Sequence, residues 1–385
     1  MKPLSTRTAS FTDSVIRRMT RISNQYGAIN LSQGFPDFDP PQALKKRLQE
    51  AAAEGFHQYS ITWGAQNTRE ALAQKQSRLM GCEISPDEVV ITCGGTEAMM
   101  AAMMTIANPQ DKVAIFSPFY ENYGADTILS GAEPVYIPLI PPEYTFDPQK
   151  LEDAFKDGAK ALVLCNPSNP SGKVFTREEL ADIAWIVKRY DGYVITDEVY
   201  EHIVYKPNEH IYISSLPGMR ERTICTGSLS KTYSITGWRL GYTIAPPEIT
   251  DRIRKVHDFL TVGAAAPLQE AVVTGLRFGQ EYYDALLETY TKKRKLFCEG
   301  LDTLGLTHNV PQGAYYVMLD ISEFAYEDDL SFCEDLARLV GVGAVPGSSF
   351  FKEPVNQYIR FHFAKKDETL LAALERLSQI RCLKK

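Results

Sequence analysis

Between residues 85 and 245, short apolar runs alternate with stretches whose apolar positions recur every three or four residues. That order predicts strand, helix and strand repeated along a mostly parallel sheet covered on both faces. The runs at 89–92, 113–116, 135–139, 161–164, 194–196, 223–226 and 240–244 read as seven strands. Thr176-Arg177-Glu178-Glu179 has the spacing of a capping box, and Leu180, Ile183, Ala184 and Val187 then mark one face of a helix. After residue 285 a long helical pattern leads into apolar runs at 314–321 and 358–363, with a helix predicted at 330–340. The expected architecture is α/β. A three-layer α/β/α domain with a seven-stranded sheet spans 41–284, and a smaller α+β domain at 285–385 is completed by an N-terminal arm, residues 1–40.

Composition narrows the class. The 385 residues are 44% hydrophobic and 23% charged, enough for a large core and more than one domain. A net charge of −7 without a dense Lys or Arg block argues against a nucleic-acid partner and favours a small metabolite. Met99-Met100-Ala101-Ala102-Met103-Met104 is too short to span a bilayer and reads as a buried helix. Seven cysteines without CxxC spacing argue against a disulfide framework or a metal site, and imply a reducing, cytoplasmic compartment. Arg7, Arg17, Arg18 and Arg21 could mimic a transit peptide, but the segment is read as a structural arm. The terminal Cys382-Leu383-Lys384-Lys385 is a poor prenylation signal.

The candidate chemistry is concentrated in Ser228-Leu229-Ser230-Lys231-Thr232-Tyr233-Ser234-Ile235-Thr236-Gly237-Trp238-Arg239-Leu240-Gly241. A lysine flanked by hydroxyls and an arginine suits a pyridoxal phosphate anchor: Lys231 for the aldehyde, Ser228 and Arg239 for the phosphate. Taken alone, the run could be a surface turn. Two upstream segments favour the cofactor. Tyr193-Val194-Ile195-Thr196-Asp197-Glu198-Val199-Tyr200 ends a strand in carboxylates, where Asp197 can face a pyridine nitrogen and Tyr200 the ring hydroxyl. Otherwise Asp197 is a cap. Asn166-Pro167-Ser168-Asn169-Pro170-Ser171-Gly172 follows another strand and sets Asn169 against the same ring oxygen, although these are ordinary turn residues. Gly94-Gly95-Thr96-Glu97 opens the methionine helix and offers the N–H groups of Gly95 and Thr96 to an anion.

Asn169, Asp197, Tyr200, Lys231 and Arg239, in this order, resemble the class I aminotransferases, fold type I of the pyridoxal phosphate enzymes, over residues 30–360. Asn30-Leu31-Ser32-Gln33-Gly34-Phe35-Pro36-Asp37-Phe38 is similar to the branch containing kynurenine, glutamine and methionine aminotransferases. The resemblance implies that Tyr120 stacks on the cofactor and that Arg360 and the Gly34 N–H bind the substrate carboxylate. It also implies a homodimer in which Tyr59 reaches the partner's phosphate. Without that resemblance, Arg360 inside an alternating strand reads as half of an internal salt bridge.

Lys231 is then anchor and base, its pKa lowered by a dry site beside Arg239. The expected reaction is ping-pong transfer of an amino group to a 2-oxo acid. Ile16, Phe35, Phe38, Trp63 and Tyr120 are expected to form an apolar pocket, and no second arginine is placed for a dicarboxylate side chain. Ala264-Ala265-Ala266 stands where kynurenine-processing relatives carry an aromatic and a histidine. Methionine and aromatic amino acids therefore rank ahead of kynurenine, histidine or glutamine. The alternatives are a cysteine-conjugate β-lyase on the same scaffold and a non-catalytic pyridoxal phosphate-binding module.

Overall fold

The computed structural model describes residues 1–9, 11 and 13–384. Its strands are β1 (Ile29–Asn30), β2 (Val89–Thr92), β3 (Lys112–Ser117), β4 (Glu133–Ile140), β5 (Thr145–Phe146), β6 (Ala159–Cys165), β7 (Tyr193–Asp197), β8 (Thr223–Ser228), β9 (Gly241–Ile244), β10 (Tyr316–Asp320), β11 (Val342–Gly343), β12 (Val345–Pro346) and β13 (Tyr358–His362). Eight of them form one sheet in the order β2-β9-β8-β7-β6-β3-β4-β5. The run from β4 to β8 is parallel, whereas β9 is antiparallel to both its neighbours. All seven expected strands are present. The eighth, β5, is a two-residue return against β4, too short to leave a periodic signal.

Alternation along the strands builds two cores from one sheet. In β6, Ala161 and Val163 pack with Met99 and Met103 of the helix Gly95–Ile106, whereas Leu162 and Leu164 face Leu180, Ile183 and Val187 of the helix Arg177–Arg189. The second helix starts where expected: Thr176 Oγ1 accepts from the Glu179 N–H at 3.2 Å, and Glu179 Oε2 accepts from the Thr176 N–H at 2.9 Å. Among the described residues, no helix is long and apolar enough to cross a membrane.

Both chain ends meet in a further core. The antiparallel sheet β10-β13-β12 packs with the 24-residue helix Gln280–Thr303 and with Met19 and Leu31 from the N-terminal segment. β1 pairs with β11 in parallel. The helix expected over 330–340 is α-helical only over Asp329–Asp335 and widens to a π-helical turn over Leu336–Val340.

A buried ionic network joins the helix Gln66–Met80 to the loop after β7. Glu201 accepts from Lys75 Nζ at 2.7 Å, Gln76 Nε2 at 2.9 Å and Tyr212 OH at 2.6 Å. Burial opposes its charge, but Lys75 and His202 hold its pKa well below the carboxylate range. Replacing Lys75 with Met strands that carboxylate. We expect a loss of about 3–5 kcal/mol in the free energy of unfolding, read from urea denaturation.

Candidate active site

The carboxyl ends of β6, β7 and β8 and the loop after β3 open on one crevice, where open α/β sheets bind ligands. A cavity of ≈ 490 Å³ lies there. It gathers Lys231, Asp197, Tyr200, Asn169, Tyr120 and Arg239 from the sheet side, with Gly34 and Arg360 from the chain ends. Gly95, Thr96 and Ser228 complete one end of it. Tyr59 is absent from the lining and 85% exposed.

Asp197 is the last residue of β7, so the strand's end directs it into the crevice. Its Oδ2 accepts from Tyr123 OH at 2.7 Å and its Oδ1 from the Val199 N–H at 3.2 Å. Burial raises its pKa, against those two bonds and the charge of Lys231. Tyr123 was not anticipated. Its position three residues after Tyr120, at the start of the helix Asn122–Leu129, was the available signal.

Lys231 stands in the one-turn helix Leu229–Thr232, capped by Ser228, whose Oγ accepts from the Ser230 N–H at 3.2 Å. Tyr282 OH, from the helix Gln280–Thr303, donates to the Thr232 carbonyl at 2.7 Å. The lysine Nζ donates to the Gly34 carbonyl at 2.8 Å. Its pKa falls to about 8, through burial first, then repulsion from Arg360 and from Arg239, with Asp197 opposing. The expected influence of Arg239 is present, but Arg360 ranks ahead of it.

Arg360, on β13, is 1% exposed. Its Nη1 donates to Asn169 Oδ1 at 2.7 Å and its Nη2 to the Ser32 carbonyl at 2.9 Å. The guanidinium lies 4.3 Å from the ring centroid of Tyr316 and 4.5 Å from that of Phe350. Nε has no hydrogen-bond partner, and among the described residues no carboxylate pairs with this cation. The internal salt bridge is thus replaced by neutral acceptors, which leave the charge for an anionic guest.

Tyr200 OH shares a 2.8 Å hydrogen bond with Tyr316 OH, a partner drawn from β10 that the sequence did not signal. A Cβ at Gly34 would overlap the Tyr316 hydroxyl, so only glycine lets this segment lie so close. Gly34 turns its carbonyl toward Lys231 and Tyr315, the latter at 3.0 Å.

A cradle for an anion lies at the other end. Gly94, at φ 86°, precedes the helix Gly95–Ile106, and a Cβ on it would come within 2.6 Å of Arg239 Nη2. At Gly95 a Cβ would stand 3.3 Å from the Cβ of Ser228. The helix's free N–H groups, the Ser228 and Ser230 hydroxyls and Arg239 therefore converge, and Arg239 makes no ion pair among the described residues. A phosphate fits this donor set. The carboxylate, lysine and phosphate cradle together fit pyridoxal phosphate.

Of the expected apolar wall, Ile16, Phe35 and Tyr120 line the cavity. Phe38 instead packs against Tyr290, centroids 6.1 Å apart, and Trp63 lies under Arg254 at 4.7 Å. A further arginine that the sequence did not single out, Arg17, also lines the cavity, together with Glu121. The first turn of the helix Val15–Gln25 puts Arg17 there, and Ser14 Oγ donates to Glu121 Oε1 at 2.5 Å.

A lysine facing a carboxylate and an anion cradle across a parallel-sheet crevice matches the fold type I class of pyridoxal phosphate-dependent enzymes. Residues 26–377 match the family Aminotransferase class I and II, and the chain belongs to it. That family is generally pyridoxal phosphate-dependent, and the protein is an aminotransferase. It is 38% identical to the methionine aminotransferase of Escherichia coli (strain K12), over 95% of this chain and 96% of that one. It is 35% identical to human kynurenine–oxoglutarate transaminase 1, over 93% of each. The structure of N-succinyldiaminopimelate aminotransferase from Mycobacterium tuberculosis superposes with a TM-score of 0.95 at 34% identity, covering 98% of this chain and 100% of that one.

In cofactor-free protein the Lys231 amine should titrate near pH 8. Arg360→Met should raise that midpoint, since removing a neighbouring cation favours the charged amine. Acylation of Lys231 as a function of pH, followed by peptide mass mapping, reads both values. An unmoved midpoint in the variant would remove Arg360 from the causes and leave burial and Arg239.

Proposed function

We propose that the protein is a pyridoxal phosphate-dependent aminotransferase for apolar and aromatic L-amino acids, with methionine and the aromatic amino acids preferred. The observation that carries this reading is Arg360, a buried cation without an anionic partner among the described residues, facing the same cavity as the Lys231 amine. An α-carboxylate held there would bring an amino acid's Cα toward Lys231, with its side chain toward Ile16, Phe35 and Tyr120. The names of the methionine and kynurenine relatives favour the same substrate class. Arg17 at the mouth could accept a second carboxylate, so 2-oxoglutarate belongs among the amino acceptors tested.

When bound, pyridoxal phosphate supplies a ring that withdraws the electrons released as the substrate Cα loses its proton. Lys231 would anchor the cofactor and, once freed as a neutral amine, carry that proton. Asp197, fixed by Tyr123, would keep the ring nitrogen protonated, while Tyr200 and the Asn169 amide would donate to the ring oxygen. Tyr120 would cover the ring face and exclude water. Gly95, Thr96, Ser228 and Arg239 would hold the phosphate, and Gly34 with Arg360 the substrate.

The molecule would work as a homodimer. Tyr59 and Phe259, 85% and 94% exposed, and the neighbouring Ile61 and Val262 are apolar surface that a second copy could cover, with Tyr59 directed to the partner's phosphate. Residues 1–40 and 285–385 would form the small domain and 41–284 the cofactor domain, consistent with Met19 and Leu31 sharing a core with Phe361. Seven unpaired cysteines suit a cytoplasmic setting.

The test is the visible spectrum of cofactor-loaded protein before and after methionine, phenylalanine, kynurenine, aspartate or glutamine is added alone. Bleaching of the yellow band with stoichiometric oxo acid is expected for methionine and phenylalanine. Ammonia and pyruvate from a cysteine conjugate would favour the lyase, and an unchanged band with every amino acid a binding module. Lys231→Ala should abolish turnover while leaving some cofactor bound. Arg360→Ala should lower kcat/KM for methionine by about 10²–10³, the loss of roughly 3–4 kcal/mol, with Arg360→Lys recovering only part of it.

A further inference from the structure

Behind the phosphate cradle lies a buried pair that none of these roles uses. Glu97, in the first turn of the helix Gly95–Ile106, directly follows Gly95 and Thr96 and is 8% exposed. Its Oε2 accepts from the Cys93 N–H at 2.5 Å, fastening the turn that leads into the cradle. Its Oε1 accepts from Thr261 Oγ1 at 2.8 Å and lies 2.6 Å from His257 Nδ1. His257 is fully buried, and its Nε2 lies 2.8 Å from the Thr62 carbonyl. A carbonyl can only accept and an ionised carboxylate can only accept, so both ring nitrogens must donate. With Glu97 ionised the ring is an imidazolium, and with the proton on Glu97 instead Nδ1 accepts it, so the pair is neutral overall in either form. Burial opposes both charges, but their mutual attraction lowers the pKa of Glu97 and raises that of His257.

A carboxylate in a helix's first turn stabilises the helix by itself but competes with an anion bound at the same end. Unneutralised, Glu97 would repel the cofactor phosphate. The proton it shares with His257 cancels that charge while Glu97 keeps its hold on the turn. Thr62 also lies three residues after Tyr59, in a segment further fixed by Gln269, which donates to Ser60 Oγ at 3.1 Å. The pair thus joins the cradle of one subunit to the segment that would serve its partner's phosphate.

We propose that Glu97 and His257 are positioning residues for the cofactor phosphate, a charge-compensated clasp that fixes the cradle without adding negative charge to it. This rests on the pyridoxal phosphate reading above, and the experiment separates the two. Cofactor-free wild type, His257→Gln, Glu97→Gln and the double variant are titrated with pyridoxal phosphate and with pyridoxal, which lacks the phosphate. His257→Gln should weaken pyridoxal phosphate by about tenfold or more and change pyridoxal by no more than about twofold, since only the phosphate meets the uncompensated carboxylate. The double variant should recover most of that loss. Glu97→Gln alone should stay within about threefold of wild type, and it decides the matter if the His257 variant does not fold. Equal weakening of both ligands by His257→Gln, a double variant no better than that single one, or a tenfold loss in Glu97→Gln would overturn the clasp. Wild-type protein that binds no pyridoxal phosphate would instead remove the functional reading itself.

Discussion

An excess of positive charge turned inward is the constraint around which this molecule is arranged. Lys231, Arg239 and Arg360 face one cavity that holds Asp197, and neither arginine has a carboxylate partner among the described residues. Arg360 is buried, and a desolvated cation without counter-charge costs free energy, whereas Arg239 remains exposed at the cavity's edge. Arg360 is tolerated because Asn169, the Ser32 carbonyl and two aromatic faces share its charge. Lys231 is tolerated because its proton is easily lost. Under the proposed function, the same repulsion would make the lysine a competent base and leave the arginines for an incoming carboxylate and phosphate.

The fold makes that arrangement rigid by economical means. Consecutive residues of β6 feed opposite cores, so the strand is gripped from both faces and its end is fixed. Asp197 and Ser228 are the final residues of β7 and β8, and their positions follow from sheet register. Arg360 comes from a different sheet, whose core includes Met19 and Leu31 from the other end of the chain. Tyr200, Ile203 and Tyr205, from the loop after β7, pack into that same core, so the sheet that carries Arg360 is joined to the one that carries Asp197.

The strands, and the residues that line the cavity at their ends, were legible in the sequence because they are local signals: apolar runs, a capping box, and a lysine and arginine eight residues apart. What escaped depends on distant approach. Tyr316 meets Tyr200 only because β10 packs behind the site, and no periodicity marks which tyrosine of a hydrophobic strand carries that bond. Phe38 and Trp63 belong to runs that look pocket-lining, yet Tyr290 and Arg254 claim them first. Arg17 resembled one basic residue among several in an arm, and only the placement of its helix turn brings it to the cavity. The two-residue β5 is fixed by pairing rather than by composition.

The bond from Tyr282 to the Thr232 carbonyl has a mechanical meaning. Tyr282 sits near the start of a 24-residue helix whose far half, through Phe297 and Leu301, is embedded in the core that carries Arg360. Such a helix is a stiff rod about 36 Å long. One end is hooked to the residue beside Lys231, and the other is set in the core that carries Arg360's strand. Any tilt of that core would be geared directly onto the peptide next to Lys231, making the rod a linkage between Arg360's sheet and the alignment of the amine.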